Sequence, residues 1–378
     1  LILSSCMNEK NDAFEKHPLD ESKSRTVTLS NGLRVYLLSD PKFNVSAASM
    51  VVEVGSLDNP KDREGTAHFL EHMLFLGTKK FPDVDEYSEY LRTFGGYANA
   101  YTASDHTNYQ LQVLPDGYEG AIDRFSQFFI APLFTAEYTE REVNAVNSEH
   151  QKNMMNDNWR QYRVSSLFAK EDHPSRKFGT GSLETIGDIT RDELVNFYEQ
   201  HYSSNRMGLA LLSNHSLDDL EVWAKKYFTS IKNRKLKRNY HDPVLFDKKE
   251  TFRLVRIDPV KDIRDLQITY PILGTREMYE NKPGRQLGFI VGHEGEGSLL
   301  SYLKNKGWAL SLSAGAGSDT KEYGMATIKI GLTPKGLKEY KEVVKTTLNY
   351  IELMKTSGYQ THVYNELKSM AELEYVYG

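Results

Sequence analysis

Residues 65–82, GTAHFLEHMLFLGTKKFP, are the stretch on which the fold turns. His68, Glu71 and His72 sit in a run that is otherwise apolar: Ala67, Phe69, Leu70, Met73, Leu74, Phe75 and Leu76. The spacing predicts a helix from about Thr66 to Leu76, stopped by Gly77. Positions 68, 71, 72 and 75 fall on one stripe of such a helix. The rest is apolar on every side, which is the pattern of a buried helix rather than of one with a solvated polar face. Unpaired buried charge costs several kcal/mol, so two imidazoles and a carboxylate there need strong partners.

A metal ion meets that need. His68 and His72, four apart, can each turn a ring nitrogen towards one ion, with Glu71 beside its open position. A zinc-bound water has its pKa lowered towards neutrality, and a nearby carboxylate can take its proton. The motif H-x-x-E-H reverses the commoner H-E-x-x-H. By itself it is only moderately specific.

Two histidines are too few for a catalytic zinc, so a third ligand is expected. The segment TEREVNAVNSEHQKNMMND, residues 139–157, offers Glu149 and, seven residues earlier on the same face, Glu142. Either could reach the metal. His150 is an alternative by type but points about a quarter turn away. Thr139 and Glu142 also have capping-box spacing, which would occupy Glu142 at the start of a helix running to about Met155.

Around these elements the pattern alternates. Asn31-Gly32 predicts a hairpin, followed by a β-rich run from Val45 to Val54. A helix from Val84 to Phe94 leads to strands near Ala98–Thr102 and Asn108–Leu114. Helices follow near Tyr118–Phe129 and after a capping box at Thr190–Glu193, then a strand at Met207–Leu212 and a helix to about Thr229. A basic run, Lys232 to Arg238, reads as a solvated linker. Beyond it, strands are predicted near Phe252–Ile257, Leu266–Tyr270, Ala309–Ala314 and Met325–Leu332. Helices are predicted around Leu287, from Ser298 to Gly307, and from Pro334 to Thr356. The repeated order predicts an α+β protein of two related domains, 25–240 and 241–378, each a mostly antiparallel sheet packed with helices, the second incomplete.

The chain has 378 residues, 39% hydrophobic and 26% charged, with a net charge of -5. That composition fits a soluble globular protein and argues against a nucleic-acid binder working through its overall field. A single cysteine excludes an intramolecular disulfide or a cysteine-based zinc site. It lies in the opening LILSSC, which resembles the end of a bacterial lipoprotein signal, with Cys6 as the lipid-bearing residue. Residues 1–24 are then a leader remnant and polar tether, and the expected location is periplasmic or cell-envelope, with a lipid anchor to the membrane. Both ends read as cut from a longer protein.

GTAHFLEHMLFLGTKKFP, REVNAVNSEHQKNMMND (141–157), KFGTGSLETI (177–186) and GHEGEGSLLSYLKNKGWALSLSAG (292–315) together resemble the inverted-zincin metallopeptidases of the pitrilysin and insulin-degrading enzyme type. The likeness runs in order from about residue 25 to 378. It implies one zinc in the catalytic domain, held by His68, His72 and Glu149, with Glu71 as general base and Glu142 supporting the ligands. It further implies that Asn99, Ala100 and Tyr101, in GYANAYTAS, form the edge strand that pairs with a peptide backbone. Trp159 and Phe178 are expected to line the cleft, and Gly295, Glu296, Gly297, Leu312 and Gly315 to hold a peptide's N-terminal end. The family folds as four similar α+β domains, two per half, closing over a chamber. The resemblance places this chain in the catalytic half and makes the other half its partner, supplying an arginine and a tyrosine. The implied activity is a zinc endopeptidase acting on enclosed short to medium peptides. The alternatives are a processing peptidase of the same superfamily, or an inactive peptide-binding relative, which should lack one of the four key residues.

Overall fold

The computed structural model describes residues 16–17, 19–247, 253–318, 320–358 and 360–377. The leader-like opening and Cys6 lie outside them. No helix among the described residues is long and apolar enough to cross a membrane.

The chain begins with strands β1 (Lys23–Thr28), β2 (Arg34–Ser39) and β3 (Ser46–Val52). The β1–β2 turn closes where the sequence places Asn31-Gly32. Gly32 takes a left-handed φ of 84°, and the Asn31 amide donates to the carbonyls of Phe228 and Ile231, both at 2.9 Å. Helices α1 (Thr66–Met73) and α2 (Glu86–Thr93) precede β4 (Tyr97–Thr102) and β5 (Thr107–Val113). Next come α3 (Tyr118–Gln127), α4 (Ala136–Met154), α5 (Asp157–Ser166), α6 (Leu183–Ile186), α7 (Arg191–His201), β6 (Met207–Ser213) and α8 (Leu217–Phe228).

These strands form a six-stranded sheet in the order β1-β2-β6-β3-β5-β4, antiparallel except for the β2–β6 pair. Alternate residues explain its two faces. Val35, Leu37, Ala48, Met50, Val52, Leu209 and Leu211 are buried, while Ser49, Ala210 and Gln110 on the opposite phase are not. The buried side meets an aromatic core of Phe69, Tyr109, Phe125, Phe128 and Phe129.

A second sheet, order β7-β9-β8, is antiparallel throughout and is built from β7 (Asp265–Leu273), β8 (Ala309–Ser318) and β9 (Tyr323–Leu332). Helices α9 (Pro283–Gly292), α10 (Leu299–Asn305), α11 (Pro334–Lys338), α12 (Tyr340–Thr356) and α13 (Thr361–Tyr377) accompany it. Its own core centres on Val291, Leu299, Leu303, Ile330 and Val343. The fold is α+β.

Four expectations are corrected. Residues 253–257 form no strand; they are mostly exposed and find no ladder partner, and Phe252 lies outside the described residues. The helix from Pro334 is broken at Glu339 into α11 and α12. The basic run is only partly solvated: Lys232, Lys235 and Lys237 are exposed. Arg238 is exposed too but pairs with Glu322 at 2.9 Å, and half-buried Arg234 donates to the Tyr202 carbonyl at 2.6 Å. Finally, α4 starts three residues before the expected capping box, with Thr135 at its N-cap. Thr139 is therefore inside the helix, and its buried hydroxyl makes no hydrogen bond.

Candidate active site

Helix α1 carries His68, Glu71 and His72 through the core. Phe69, Leu70 and Met73 are fully buried and anchor it. Its start is set by an unusually close backbone approach. Gly65, with φ 97°, precedes the helix, and a Cβ there would lie 2.3 Å from the Cα of Gly181, itself at φ 91°. Two glycines thus allow residues 180–181 to lie against the helix start, where the carbonyl of Thr180 receives a bond from His68 Nδ1 at 2.7 Å.

That bond determines the ring's chemistry. A carbonyl only accepts, so Nδ1 carries the proton and the Nε2 lone pair is exposed. His72 has the same arrangement with a different partner: its Nδ1 faces Glu142 Oε2 at 3.4 Å. The two Nε2 atoms therefore point to common ground. Glu149 on α4 completes it, with Oε2 at 3.6 Å from His68 Nε2 and 3.9 Å from His72 Nε2. These ligand atoms all lie within 4.8 Å of one another. Ligands of a tetrahedral zinc with bonds of about 2.0–2.2 Å stand roughly 3.3–3.6 Å apart, so the donor set fits this metal in type, and its members stand at or somewhat beyond that spacing. The α4 face works as its sequence suggests: Val143 and Val146 are buried between the two acids that project towards α1.

Glu71 lies beside the histidines, 6% exposed. Thr102 Oγ1 donates to its Oε2 at 2.6 Å. Burial pushes the Glu71 carboxyl up to about 7, against the opposing pull of the Thr102 bond and of His72. The histidines diverge. Burial and the neighbouring His72 charge hold His68 below the usual range. Burial also acts downwards on His72, but the Glu142 bond and the surrounding carboxylates outweigh it and raise the ring. The same bond holds Glu142 below its ordinary value.

The other sequence candidates are dispersed. His150 turns away from the ligands and packs edge-on against Phe178, with ring centroids 4.8 Å apart. Phe178 also faces the Arg163 guanidinium at 5.5 Å. Trp159 sits on α5, 44% exposed, in edge contact with Tyr162. Asn99, Ala100 and Tyr101 lie on β4, whose outer side meets no strand among the described residues. Gly295, Glu296 and Gly297 form an exposed turn before α10. Gly315 is exposed on β8, whereas Leu312 is buried in the core of the second sheet. Thr102 and the Thr180 carbonyl were not anticipated. Thr102 ends the β4 segment and could have been found by following the strand one residue further. A backbone carbonyl leaves no signal in residue identity.

Two family models match this chain: insulinase (peptidase family M16) over residues 34–172, and the peptidase M16 inactive domain over residues 188–370. The A-factor-processing enzyme of Saccharomyces cerevisiae is 40% identical over 365 residues, covering 95% of this chain and 36% of that protein. Insulin-degrading enzyme of Homo sapiens is 40% identical over 362 residues, covering 94% and 36% respectively. The crystal structure of pitrilysin superposes with a TM-score of 0.90 at 30% identity, covering 97% of this chain and 40% of that one. The chain thus spans well under half the length of these relatives.

Proposed function

The chain belongs to the M16 insulinase peptidase family, and from that membership we propose that it is the metal-bearing part of a zinc-dependent endopeptidase. One observation carries the reading: the convergence of His68, His72 and Glu149 beside a buried Glu71. Zinc, when bound, supplies a Lewis acid that acidifies water and polarises a peptide carbonyl.

The rest follows from the chain's own side chains. His68 and His72 present unprotonated Nε2 atoms because Thr180 and Glu142 hold their Nδ1 protons. Thr102 fixes one oxygen of Glu71, leaving Oε1 to take a proton from the attacking water and return it to the leaving amine. β4 contacts α1 through Thr102 and Glu71, and its outer edge, unpaired among the described residues, would dock an extended peptide by backbone pairing through Asn99, Ala100 and Tyr101. Phe178 and Trp159 would flank the peptide, and the 295–297 turn with Gly315 would hold its amino end. Enclosure of short to medium peptides in a chamber belongs to the longer protein, with a second half as partner. A lipid anchor at Cys6 and a cell-envelope location rest on the leader-like opening alone.

Processing activity is the second reading, favoured by the yeast relative's name. The test is metal content and cleavage together. The full-length protein should contain one zinc per chain, lose peptide cleavage on chelation and recover it when zinc is restored. A protein that cleaves peptides without zinc overturns the proposal. Cleavage confined to a single bond of a precursor favours processing.

A further inference from the structure

Helix α1 starts at a glycine, so it has no side chain of its own to cap its first turn, whose N–H groups lack helical partners. The acceptor comes from elsewhere. Asn59 Oδ1 takes the N–H of Ala67 at 2.8 Å, on the residue immediately before His68. Asn59 is 1% exposed, and its Nδ2 has no hydrogen-bond partner in the structure. Only the oxygen of the amide is used.

Asn59 is itself held from the far side. Lys177 donates to its carbonyl and, at 3.3 Å, to that of Leu57. Asp58 is fixed by the Gly55 N–H at 2.9 Å and takes a bond from Asn239 of the linker. Leu57 packs with Ala169, Leu245 and Tyr323, a small apolar cluster that joins this turn and the segment after α5 to β9 and to the residues following the basic run. Leu57, Asp58 and Asn59 are consecutive, so the docking of the second sheet and the start of the metal helix share one short turn.

We infer that Asn59 is a positioning residue for His68 and His72, and that Leu57–Asn59 couple the docking of the linker and second sheet to metal affinity. The inference rests on the reading of His68, His72 and Glu149 as zinc ligands. Its basis is that ligand geometry depends on partners outside the ligand set.

The test is made on the full-length protein by chelator competition for zinc and by the visible spectrum after cobalt substitution. Asn59→Ala should weaken zinc binding by about tenfold or more and shift the cobalt bands. Asn59→Asp keeps the acceptor oxygen, gains from the helix N-terminus and should stay within about threefold of the parent with its spectrum. Asn239→Ala should weaken binding by about threefold or more. Asn31→Ala loses comparable bonds away from α1 and should leave zinc affinity unchanged. Parental affinity and spectrum in Asn59→Ala would overturn the inference, as would an equal loss in Asn31→Ala or in a folded Asn59→Asp. If Asn59→Ala does not fold, unchanged affinity in Asn239→Ala overturns the coupling. A parent that binds no zinc sinks the metal reading instead.

Discussion

Glu142 Oε2 stands 3.4 Å from His72 Nδ1, on the side of the ring opposite Glu149. One helix, α4, thus approaches His72 from both edges, once to orient it and once beside its free nitrogen. Glu142→Gln keeps an acceptor but removes the charge that favours a well-directed Nδ1 proton. Zinc affinity should fall by about tenfold, read by chelator competition, with the fold retained.

Glu71→Gln separates metal binding from chemistry. The ligands are untouched, so zinc content should stay at one per chain in the full-length protein. Turnover should fall by a factor of about 10²–10⁴ or more, because the proton acceptor is gone. Near-parental kcat with zinc bound would remove Glu71 from the reaction.

Glu193 gives a pH signature remote from the metal. Its hydrogen bond to Arg63, then the Thr190 N–H, lower its carboxyl from 4.5 to about 2. A depressed folded-state pKa contributes stability that is present above the unfolded value and lost as pH falls through the folded one. The difference in urea midpoint between the parent and Glu193→Gln should therefore be largest above pH 4.5 and shrink towards pH 2. A difference independent of pH would contradict this. The group is partly exposed, so screening by salt should reduce the effect.

Tyr109 and Tyr202 meet hydroxyl to hydroxyl at 2.6 Å in the core. Removing one oxygen leaves the other poorly satisfied, so Tyr109→Phe should cost about 1–3 kcal/mol in chemical denaturation. The double Tyr→Phe variant should cost less than the sum of the singles, since neither hydroxyl then remains orphaned.

Much of the fold could be read from the sequence, and the exceptions have physical causes. Thr190 and Glu193 form the capping box their spacing suggests. Thr139 and Glu142 share that spacing without forming one, because Thr135 offers an earlier start and His72 competes for Glu142. Local spacing carries no information on which carboxylate a distant helix will engage. Helix α5 was missed because it buries no residue, so it shows no apolar stripe, although Asn156 caps it. The segment near residue 255 has strand-like composition, but a strand needs a neighbour, which composition cannot supply. The metal ligands on α1 were legible because polar residues stand out in an apolar run. Thr180 acts through its carbonyl, which every residue type possesses.

Strand β4 leaves its outer edge unpaired among the described residues. The strand reads Tyr-Ala-Asn-Ala-Tyr-Thr, with no charge, no proline and no bulge. Those are the usual features by which exposed strands repel one another. Nothing in β4's own residues distinguishes a peptide from the β4 of a second molecule. Self-association should therefore rise with protein concentration in sedimentation experiments. An excess of extended peptide should reverse it by occupying the same row of backbone groups, so colloidal behaviour and substrate capture draw on one surface.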